Sequence, residues 1–165
     1  MNKIGIVGAT GYTGEELLRV LARHHQAELA FLTSEQEHGQ PLAKVYPHLP
    51  RRGDLKFCSA RESLEREADL VFLCTPAGQS APWAADFLRN GAKVVDLGAD
   101  FRFQDPRIYE RWYGQPHLQP ALLPESVYGL AEWHRADITA ARLVGNPGCY
   151  PTAALLGLLP FVRAG

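Results

Sequence analysis

The first two dozen residues constrain the fold more than any other part of the chain. Residues 3–7 form a short apolar run rich in β-branched side chains, which is typical of a buried strand. This run leads directly into the glycine-rich stretch GATGYTG at residues 8–14, and residues 15–23 then have the apolar spacing of a helix. A strand, a glycine-rich turn and a helix in this order form the phosphate-binding element of dinucleotide-binding folds.

The glycine spacing itself is less decisive than its position. The stretch reads Gly-x-x-Gly-x-x-Gly, whereas the standard fingerprint is Gly-x-Gly-x-x-Gly. A turn that merely joins a strand to a helix is therefore an alternative. Its place at the opening of a βαβ unit favours a nucleotide site, and the residues that we expect to contact the cofactor there are Gly8, Thr10, Gly11, Tyr12, Thr13 and Gly14.

Strand and helix patterns alternate along most of the remaining chain. Strands are predicted at residues 28–33, 55–58, 69–74, 93–97 and 142–145, and helices at 61–67, 79–90 and 152–162, with a further short helix starting in 128–132. Residues 39–54, which contain Pro41, Pro47, Pro50 and Gly53, are predicted to form a loop. This alternation predicts an α/β fold with a Rossmann-like, doubly wound and mostly parallel sheet.

Two further loops are candidates for cofactor binding. An acidic residue normally follows the second strand when the cofactor lacks a 2′-phosphate, because it binds the ribose hydroxyls. Thr33 and Ser34 stand there instead, and their hydroxyls could bind a 2′-phosphate, although the next residue, Glu35, favours NAD. We favour NADP(H). Thr75 and Pro76 follow the strand at 69–74 and could line the nicotinamide side, with a plain strand-to-helix connection as the alternative.

The stretch GNPGCYPT at residues 145–152 is the strongest candidate for chemistry. Its turn residues predict that Cys149 lies at the N-terminus of a helix, which is expected to be buried over residues 152–162. The positive end of a helix favours a thiolate, and its free N–H groups can hold an oxyanion or a phosphate. A lone cysteine is more often a small buried hydrophobic residue. A core cysteine, however, does not need such a turn, so we expect Cys149 to be catalytic.

Composition excludes several other classes of function. The 165 residues include 17 basic and 18 acidic side chains without a basic run, so neither nucleic acid nor a membrane surface is an expected partner. Three widely spaced cysteines form neither a disulfide framework nor a metal-binding pattern, and no metal site is predicted. We see no leader sequence and no apolar run long enough to span a membrane. A soluble protein of the cytoplasm is expected.

Four motifs in order along the chain resemble those of the N-acetyl-γ-glutamyl-phosphate reductase family: VGATGYTG (7–14), VDLGADFR (95–102), YGL (128–130) and GNPGCYPT (145–152). The resemblance implies NADPH-dependent reduction of N-acetyl-γ-glutamyl phosphate to N-acetylglutamate semialdehyde in arginine biosynthesis. It also implies that Cys149 is the nucleophile, that the glycine-rich turn binds NADP(H), and that the complete enzyme is a homo-oligomer acting on a small acyl phosphate.

Arg102 and Asn146 are candidates for substrate binding. The guanidinium of Arg102 could clamp a phosphate or a carboxylate. An ion pair between Arg102 and Asp96 or Asp100 is the structural alternative. Asn146 stands in the cysteine motif itself, three residues before Cys149.

The chain departs from the family pattern in two ways. Where the family often has Pro-His-Gly, this chain has Pro76, Ala77 and Gly78. The family's chain is also about twice as long, so that its substrate domain and its acid/base histidine would lie beyond Gly165. We therefore expect a dinucleotide-binding domain at 1–144, followed at 145–165 by the cysteine turn and first helix of a truncated catalytic domain, and a poorly active fragment as a whole.

Two other functions remain open from the sequence. Aspartate-semialdehyde dehydrogenase has a similar plan and similar chemistry, but Asn typically precedes its cysteine directly, whereas Gly148 precedes Cys149 here. A non-catalytic NADP(H)-binding module on the same fold is the second alternative. It leaves the specific turn around Cys149 without an explanation.

Overall fold

One parallel sheet organises the protein, for which the computed structural model describes residues 1–49 and 54–165. Its strands in the described residues are β1 (Asn2–Val7), β2 (Ala27–Thr33), β3 (Phe57–Cys58), β4 (Leu70–Leu73), β5 (Lys93–Asp96), β6 (Ser126–Tyr128) and β7 (Leu143–Gly145). Their order across the sheet is β3-β2-β1-β4-β5-β7-β6, and every pair is parallel. The predicted Rossmann-like sheet is confirmed.

Helices cover both faces of the sheet, as a doubly wound fold requires. They are α1 (Tyr12–Leu21), α2 (Leu42–Val45), α3 (Ala60–Ser63), α4 (Ser80–Arg89), α5 (Pro106–Tyr113), α6 (Ala131–Ala140) and α7 (Cys149–Ala164), with a 3-10 helix at Pro120–Glu125. On one face Leu18 and Leu21 of α1 pack with Ile4 and Ile6 of β1. On the other face α4 packs against the central strands, and Phe87 stacks on Phe31 with 5.8 Å between ring centroids.

Most helix boundaries differ from the prediction by a few residues. α1 begins at Tyr12, inside the glycine-rich stretch, because Gly11 is its N-cap and Gly14 already lies in its first turn. The helix expected at 61–67 is a single turn, Ala60–Ser63, closed by a capping box between Ser59 and Glu62. The helix expected from residue 128 begins at Ala131, because the preceding residues pair with β7 as strand β6.

The loop expected at residues 39–54 is only partly a loop. It contains the short helix α2, and Pro41 forms an isolated antiparallel bridge with Lys56. Two of the predicted breakers, Pro50 and Gly53, lie outside the described residues.

Among the described residues, sequence analysis missed three elements between β5 and β7: α5, the 3-10 helix at Pro120–Glu125 and β6. α5 has clear end signals, since Asp105 caps its N-terminus, Pro106 is its first residue and Gly114 ends it in the left-handed conformation. These signals were sufficient to predict it. β6 has three residues, too few for any periodic pattern, and only its pairing with β7 defines it.

α7 corrects one prediction. It is a helix as expected, but the expectation that residues 152–162 are buried is wrong, because Leu158 is 62% and Phe161 76% exposed. Apolar composition shows that a helix favours burial without showing what covers it. Both sheet faces are already covered by other helices. Arg163 near the end of α7 lies over the ring of Trp133 in α6, with its guanidinium carbon 3.7 Å from the ring centroid. In the part of the chain that the structure describes, no helix is long and apolar enough to cross a bilayer.

Candidate active site

The candidate site lies at the carboxyl edge of the sheet. Strand pairing places Val7 beside Leu73, Leu73 beside Asp96 and Asp96 beside Gly145, so that β1, β4, β5 and β7 end at one level. The segments that follow these strands therefore leave the sheet together. The chain turns from β1 to β2 on one side and β4 lies on the other, so this edge includes the switch point where ligands bind in such sheets.

Two glycines of the first turn are required by close approaches of the backbone. Gly8 has a φ of +79°, and a Cβ atom on it would lie 2.6 Å from the carbonyl oxygen of Cys74. A Cβ atom on Gly14 would lie 2.7 Å from the backbone of Ala9. Gly14 thus lets α1 pack on the turn, while Tyr12 and Thr13 stay exposed at the start of α1. The bare backbone left by these glycines fits the close approach of a pyrophosphate.

The residues after β2 are tied to the glycine-rich turn. The hydroxyl oxygen of Thr33 accepts a 3.0 Å hydrogen bond from the N–H of Gly8, and the hydroxyls of Ser34 and Thr10 are 2.9 Å apart. Ser34 is 6% exposed. The carboxylate of Glu35 accepts a 2.9 Å bond from the N–H of Ala60 at the start of α3. The carboxylate of Glu35 is therefore held against the start of α3, whereas the Ser34 hydroxyl lies beside the glycine-rich turn.

The loop after β4 begins with the predicted pair Thr75 and Pro76. The hydroxyls of Thr75 and Ser80 are 2.7 Å apart, which joins the start of the loop to the first turn of α4. Pro76 is exposed. Residue 78, where the chain turns toward α4, is a glycine with a φ of +85°.

The cysteine turn places Cys149 as the first residue of α7, with Gly148 as the N-cap. The N–H and the hydroxyl of Thr152 both donate to the carbonyl of Gly148, at 3.0 and 2.9 Å, and so close the first helical turn. Cys149 is exposed. It lines a cleft of about 480 Å³ together with Thr13 and Leu97, so Cys149 lies on the side of the sheet that carries the glycine-rich turn.

The guanidinium of Arg102 lies against the cysteine turn in the same cleft. Its Nε donates to the carbonyl of Asn146 at 2.9 Å, and Nη1 lies 3.4 Å from the hydroxyl of Tyr113. The alternative ion pair with Asp96 or Asp100 is replaced by these contacts, because both carboxylates are occupied by other donors. The side-chain amide of Asn146 donates to the carbonyl of Pro147 at 3.1 Å.

The other two cysteines lie in less reactive surroundings. Burial raises the pKa of the Cys58 thiol, which donates weakly to the carbonyl of Leu32 at 3.5 Å. Burial, together with the nearby carboxylate of Asp96, raises the pKa of Cys74 to about 12. Since the thiolate is the reactive form, neither thiol is suited to act as a nucleophile near neutral pH.

The family is decided by comparison with known proteins. A family model for the semialdehyde dehydrogenase NAD-binding domain matches residues 3–141, most of the chain. The chain belongs to this family.

Curated relatives of this semialdehyde dehydrogenase domain match it along its whole length. The N-acetyl-gamma-glutamyl-phosphate reductase of Bordetella pertussis is 50% identical over 99% of this chain and 46% of its own. The protein of the same name from Heliobacterium modesticaldum is 52% identical over 100% of this chain and 47% of its own. The resemblance to the reductases is thus confirmed, and the chain spans about half the length of these relatives.

Solved semialdehyde dehydrogenases have the same fold. Aspartate semialdehyde dehydrogenase II of Vibrio cholerae superposes with a TM-score of 0.72 at 21% identity, over 99% of this chain and 47% of its own. The Candida albicans aspartate semialdehyde dehydrogenase, solved with NADP, superposes with a TM-score of 0.66 at 16% identity, over 99% and 47% of the two chains. At these identities the likeness shows the fold.

Two buried carboxylates that sequence analysis did not single out organise the loops of this domain. Asp96 is fully buried, and its oxygens accept from the N–H groups of Gly98 and Asp100 at 2.8 and 3.0 Å. Burial raises its pKa despite these donors and the hydroxyl of Ser80. The second carboxylate, that of Asp100, is also fully buried and accepts three hydrogen bonds. The motif DLGAD, with two acids in an apolar strand end, was the available signal.

A buried histidine completes this network. Nδ1 of His117 accepts the N–H of Gln119 at 3.1 Å, which leaves the proton on Nε2, and Nε2 donates to the carbonyl of Asp100 at 2.9 Å. The ring also lies edge-on to Phe101 and Tyr109. Burial lowers the pKa of His117. Protonation of Nδ1 would place its new N–H opposite the N–H of Gln119, so the folded state favours the neutral imidazole.

This histidine predicts a pH dependence of stability. Because its pKa in the fold lies below the unfolded value of about 6.5, stability is fully present above that pH and falls as the pH drops below it. Urea unfolding from about pH 7.5 to about pH 5 should show this loss, and His117→Gln should flatten it. The exposed His25 provides the matched control, since His25→Gln should leave the slope unchanged. An equal slope in wild type and His117→Gln would contradict the assignment.

Proposed function

We propose that the complete protein reduces N-acetyl-γ-glutamyl phosphate to N-acetylglutamate semialdehyde with NADPH, as a cytoplasmic enzyme of arginine biosynthesis. One observation carries the proposal: exposed Cys149 at the start of α7 shares its cleft with Thr13 of the glycine-rich turn. A nucleophile and a dinucleotide site are thus neighbours. The relatives that are about 50% identical to this chain are named N-acetyl-gamma-glutamyl-phosphate reductase, which supports the choice of substrate.

The chemistry begins at the sulfur of Cys149. Its thiolate attacks the carbonyl carbon of the acyl phosphate and forms a C–S bond. The C–O bond to phosphate then breaks, so that inorganic phosphate departs and a thioester remains on Cys149. Bound NADPH would supply the hydride that reduces the thioester carbon. The resulting thiohemiacetal then releases the aldehyde and regenerates the thiolate. A thioester is used because it accepts a hydride far more readily than a carboxylate does.

The first turn of α7 would stabilise the charge that develops on the carbonyl oxygen. The N–H groups of Cys149 and Tyr150 belong to the first residues of the helix, where they have no partner within it. The next residue, Pro151, has no N–H. Such donors are typically worth about 3–4 kcal/mol each to the transition state.

Replacement of the nucleophile tests the mechanism. Cys149→Ser should lower turnover of the complete enzyme about a thousandfold or more, because a serine hydroxyl is a much weaker nucleophile than a thiolate. Binding of NADPH, followed by calorimetry, should stay near wild type. Cys58→Ser is the matched control and should keep its activity. Substantial turnover by Cys149→Ser would refute the assignment, as would slow alkylation of Cys149 by iodoacetamide well below pH 8.

We assign the cofactor site to the edge of the sheet around the first turn. Its contacts would come from Gly8, Thr10, Gly11, Tyr12, Thr13, Gly14, Ser34, Thr75 and Pro76. The close approaches at Gly8 and Gly14 support the part that holds phosphate. The Ser34 hydroxyl beside Thr10, and the bonding of Glu35 to α3, support NADP(H) over NAD(H).

Ser34 tests the choice of cofactor. Ser34→Ala removes a hydrogen bond to a charged phosphate, and NADPH should therefore bind about tenfold to a hundredfold more weakly. Affinity for NADH should change little, so the ratio of the two dissociation constants is the measurement. Ser63→Ala, which removes another buried hydroxyl, should leave the ratio unchanged. A wild-type protein that binds NADH more tightly than NADPH would overturn the NADP(H) assignment.

We assign binding of the substrate phosphate to Arg102, with Asn146 beside it. The guanidinium lies in the cleft of Cys149, so it is placed to meet the leaving group of an acyl phosphate attacked there. Its Nε is engaged by the carbonyl of Asn146, which fixes its orientation.

Arg102 can be tested through the kinetics of the complete enzyme. Arg102→Ala should raise KM for the acyl phosphate about tenfold to a hundredfold, because a charge-assisted bond to phosphate is lost. KM for NADPH should be nearly unchanged. Arg107→Ala is the control, since Arg107 is exposed and pairs with Asp105. An unchanged KM for the acyl phosphate would remove Arg102 from the substrate site.

We divide the chain into a dinucleotide-binding domain at residues 1–144 and the beginning of a catalytic domain at 145–165. The family match at 3–141 supports the first part. The exposed apolar face of α7 and the greater length of the relatives support the second. The complete enzyme is proposed to be a homo-oligomer.

A further inference from the structure

Asp100 connects the loop after β4 to the rest of the site. One of its carboxylate oxygens accepts the N–H of Gly78 at 2.6 Å, and the other accepts the N–H of Ala81 at 2.9 Å. These donors lie at the end of the loop that begins with Thr75 and in the first turn of α4. Asp100 is 0% exposed, so water does not compete for these bonds. The carboxylate therefore sets where the loop after β4 lies.

Asp100 itself is held on several further sides. Its N–H donates to the carboxylate of Asp96 at 3.0 Å, and its carbonyl accepts from His117 at 2.9 Å. The hydroxyl of Tyr109 donates to its carboxylate at 3.0 Å. Burial and the neighbouring carboxylate raise the pKa of Tyr109 to about 12, so this hydroxyl stays a donor. These hydrogen bonds fix the position of Asp100.

The two residues after Asp100 reach the cysteine turn. The carbonyl of Phe101 lies so close to β7 that a Cβ atom on Gly145 would be 2.0 Å from it. Arg102 then donates from Nε to the carbonyl of Asn146, three residues before Cys149. A continuous chain of contacts therefore runs from the loop after β4, through Asp100, to the turn that carries the sulfur.

We propose that Asp100 is a positioning residue that holds the loop after β4 in place relative to the turn of Cys149. This inference rests on the proposed function, in which that loop lines the nicotinamide side of the cofactor. Hydride transfer requires the two reacting groups at a near-contact distance, and small displacements are costly. The carboxylate is suited to this role because it binds two N–H groups and a hydroxyl at once, which an amide cannot do.

The test measures how bound nucleotide protects the sulfur. In wild type, saturating NADP+ should slow the alkylation of Cys149 by iodoacetamide, because the nicotinamide covers the thiol. In Asp100→Asn this protection should be lost at saturating NADP+, because the loop after β4 is displaced from the cysteine turn. Tyr109→Phe, which removes one donor and keeps the ring, should show a partial loss. Ser63→Ala loses a buried bond to Ala60 outside this network and should keep the wild-type protection.

The outcomes separate this inference from the proposed function. Full protection in Asp100→Asn would overturn the positioning role. If Asp100→Asn does not fold, Tyr109→Phe decides, and wild-type protection in that variant would overturn it equally. If NADP+ binds to the wild-type protein but does not slow the alkylation of Cys149, the proposed function is overturned instead. Amide exchange without nucleotide then still tests the link at Gly78 and at Thr152, whose N–H closes the first turn of α7. Faster exchange at both in the variants supports the link, and unchanged exchange at Thr152 overturns it.

Discussion

The parallel pairing of β1, β4, β5 and β7 is the constraint on which the candidate site depends. Because these strands run in one direction and end at one level, the four segments that follow them meet at a single edge. In an antiparallel arrangement, alternate strands would deliver their loops to the opposite edge. Cys149 and the glycine-rich turn, more than 130 residues apart in sequence, thus reach the same edge through strand pairing.

The buried carboxylates determine how these segments meet. Taking a carboxyl group out of water costs free energy unless hydrogen bonds replace its hydration. Asp96 and Asp100 meet this requirement by collecting N–H groups from their own loop and from the loop after β4. The backbone of these loops therefore surrounds the carboxyl groups of Asp96 and Asp100. Arg102, two residues after Asp100, then contacts the cysteine turn through its bond to the carbonyl of Asn146. Loops without regular structure gain a defined geometry in this way.

Local signals in the sequence were enough for most of the fold. Apolar strands alternate with helical patterns, so the parallel sheet and its main helices could be predicted. α5 could also have been predicted from Asp105, Pro106 and Gly114, which mark its ends. β6 could not, because three residues have no period and its identity depends on a partner strand. The exposure of α7 could not be predicted from the sequence either, since apolar side chains do not specify which surface packs on them.

For the candidate site, the sequence by itself determined which residue types were available and in what local setting. Glycines 8 and 14 allow backbone to approach backbone, and the turn residues around Cys149 place it at the start of a helix. Only the tertiary structure decided that this cysteine shares a cleft with Thr13 and Arg102, and that Arg102 bonds Asn146 rather than a nearby acid. The reason is physical: turn and helix preferences act over a few residues, whereas these contacts arise from strand pairing and burial between distant segments.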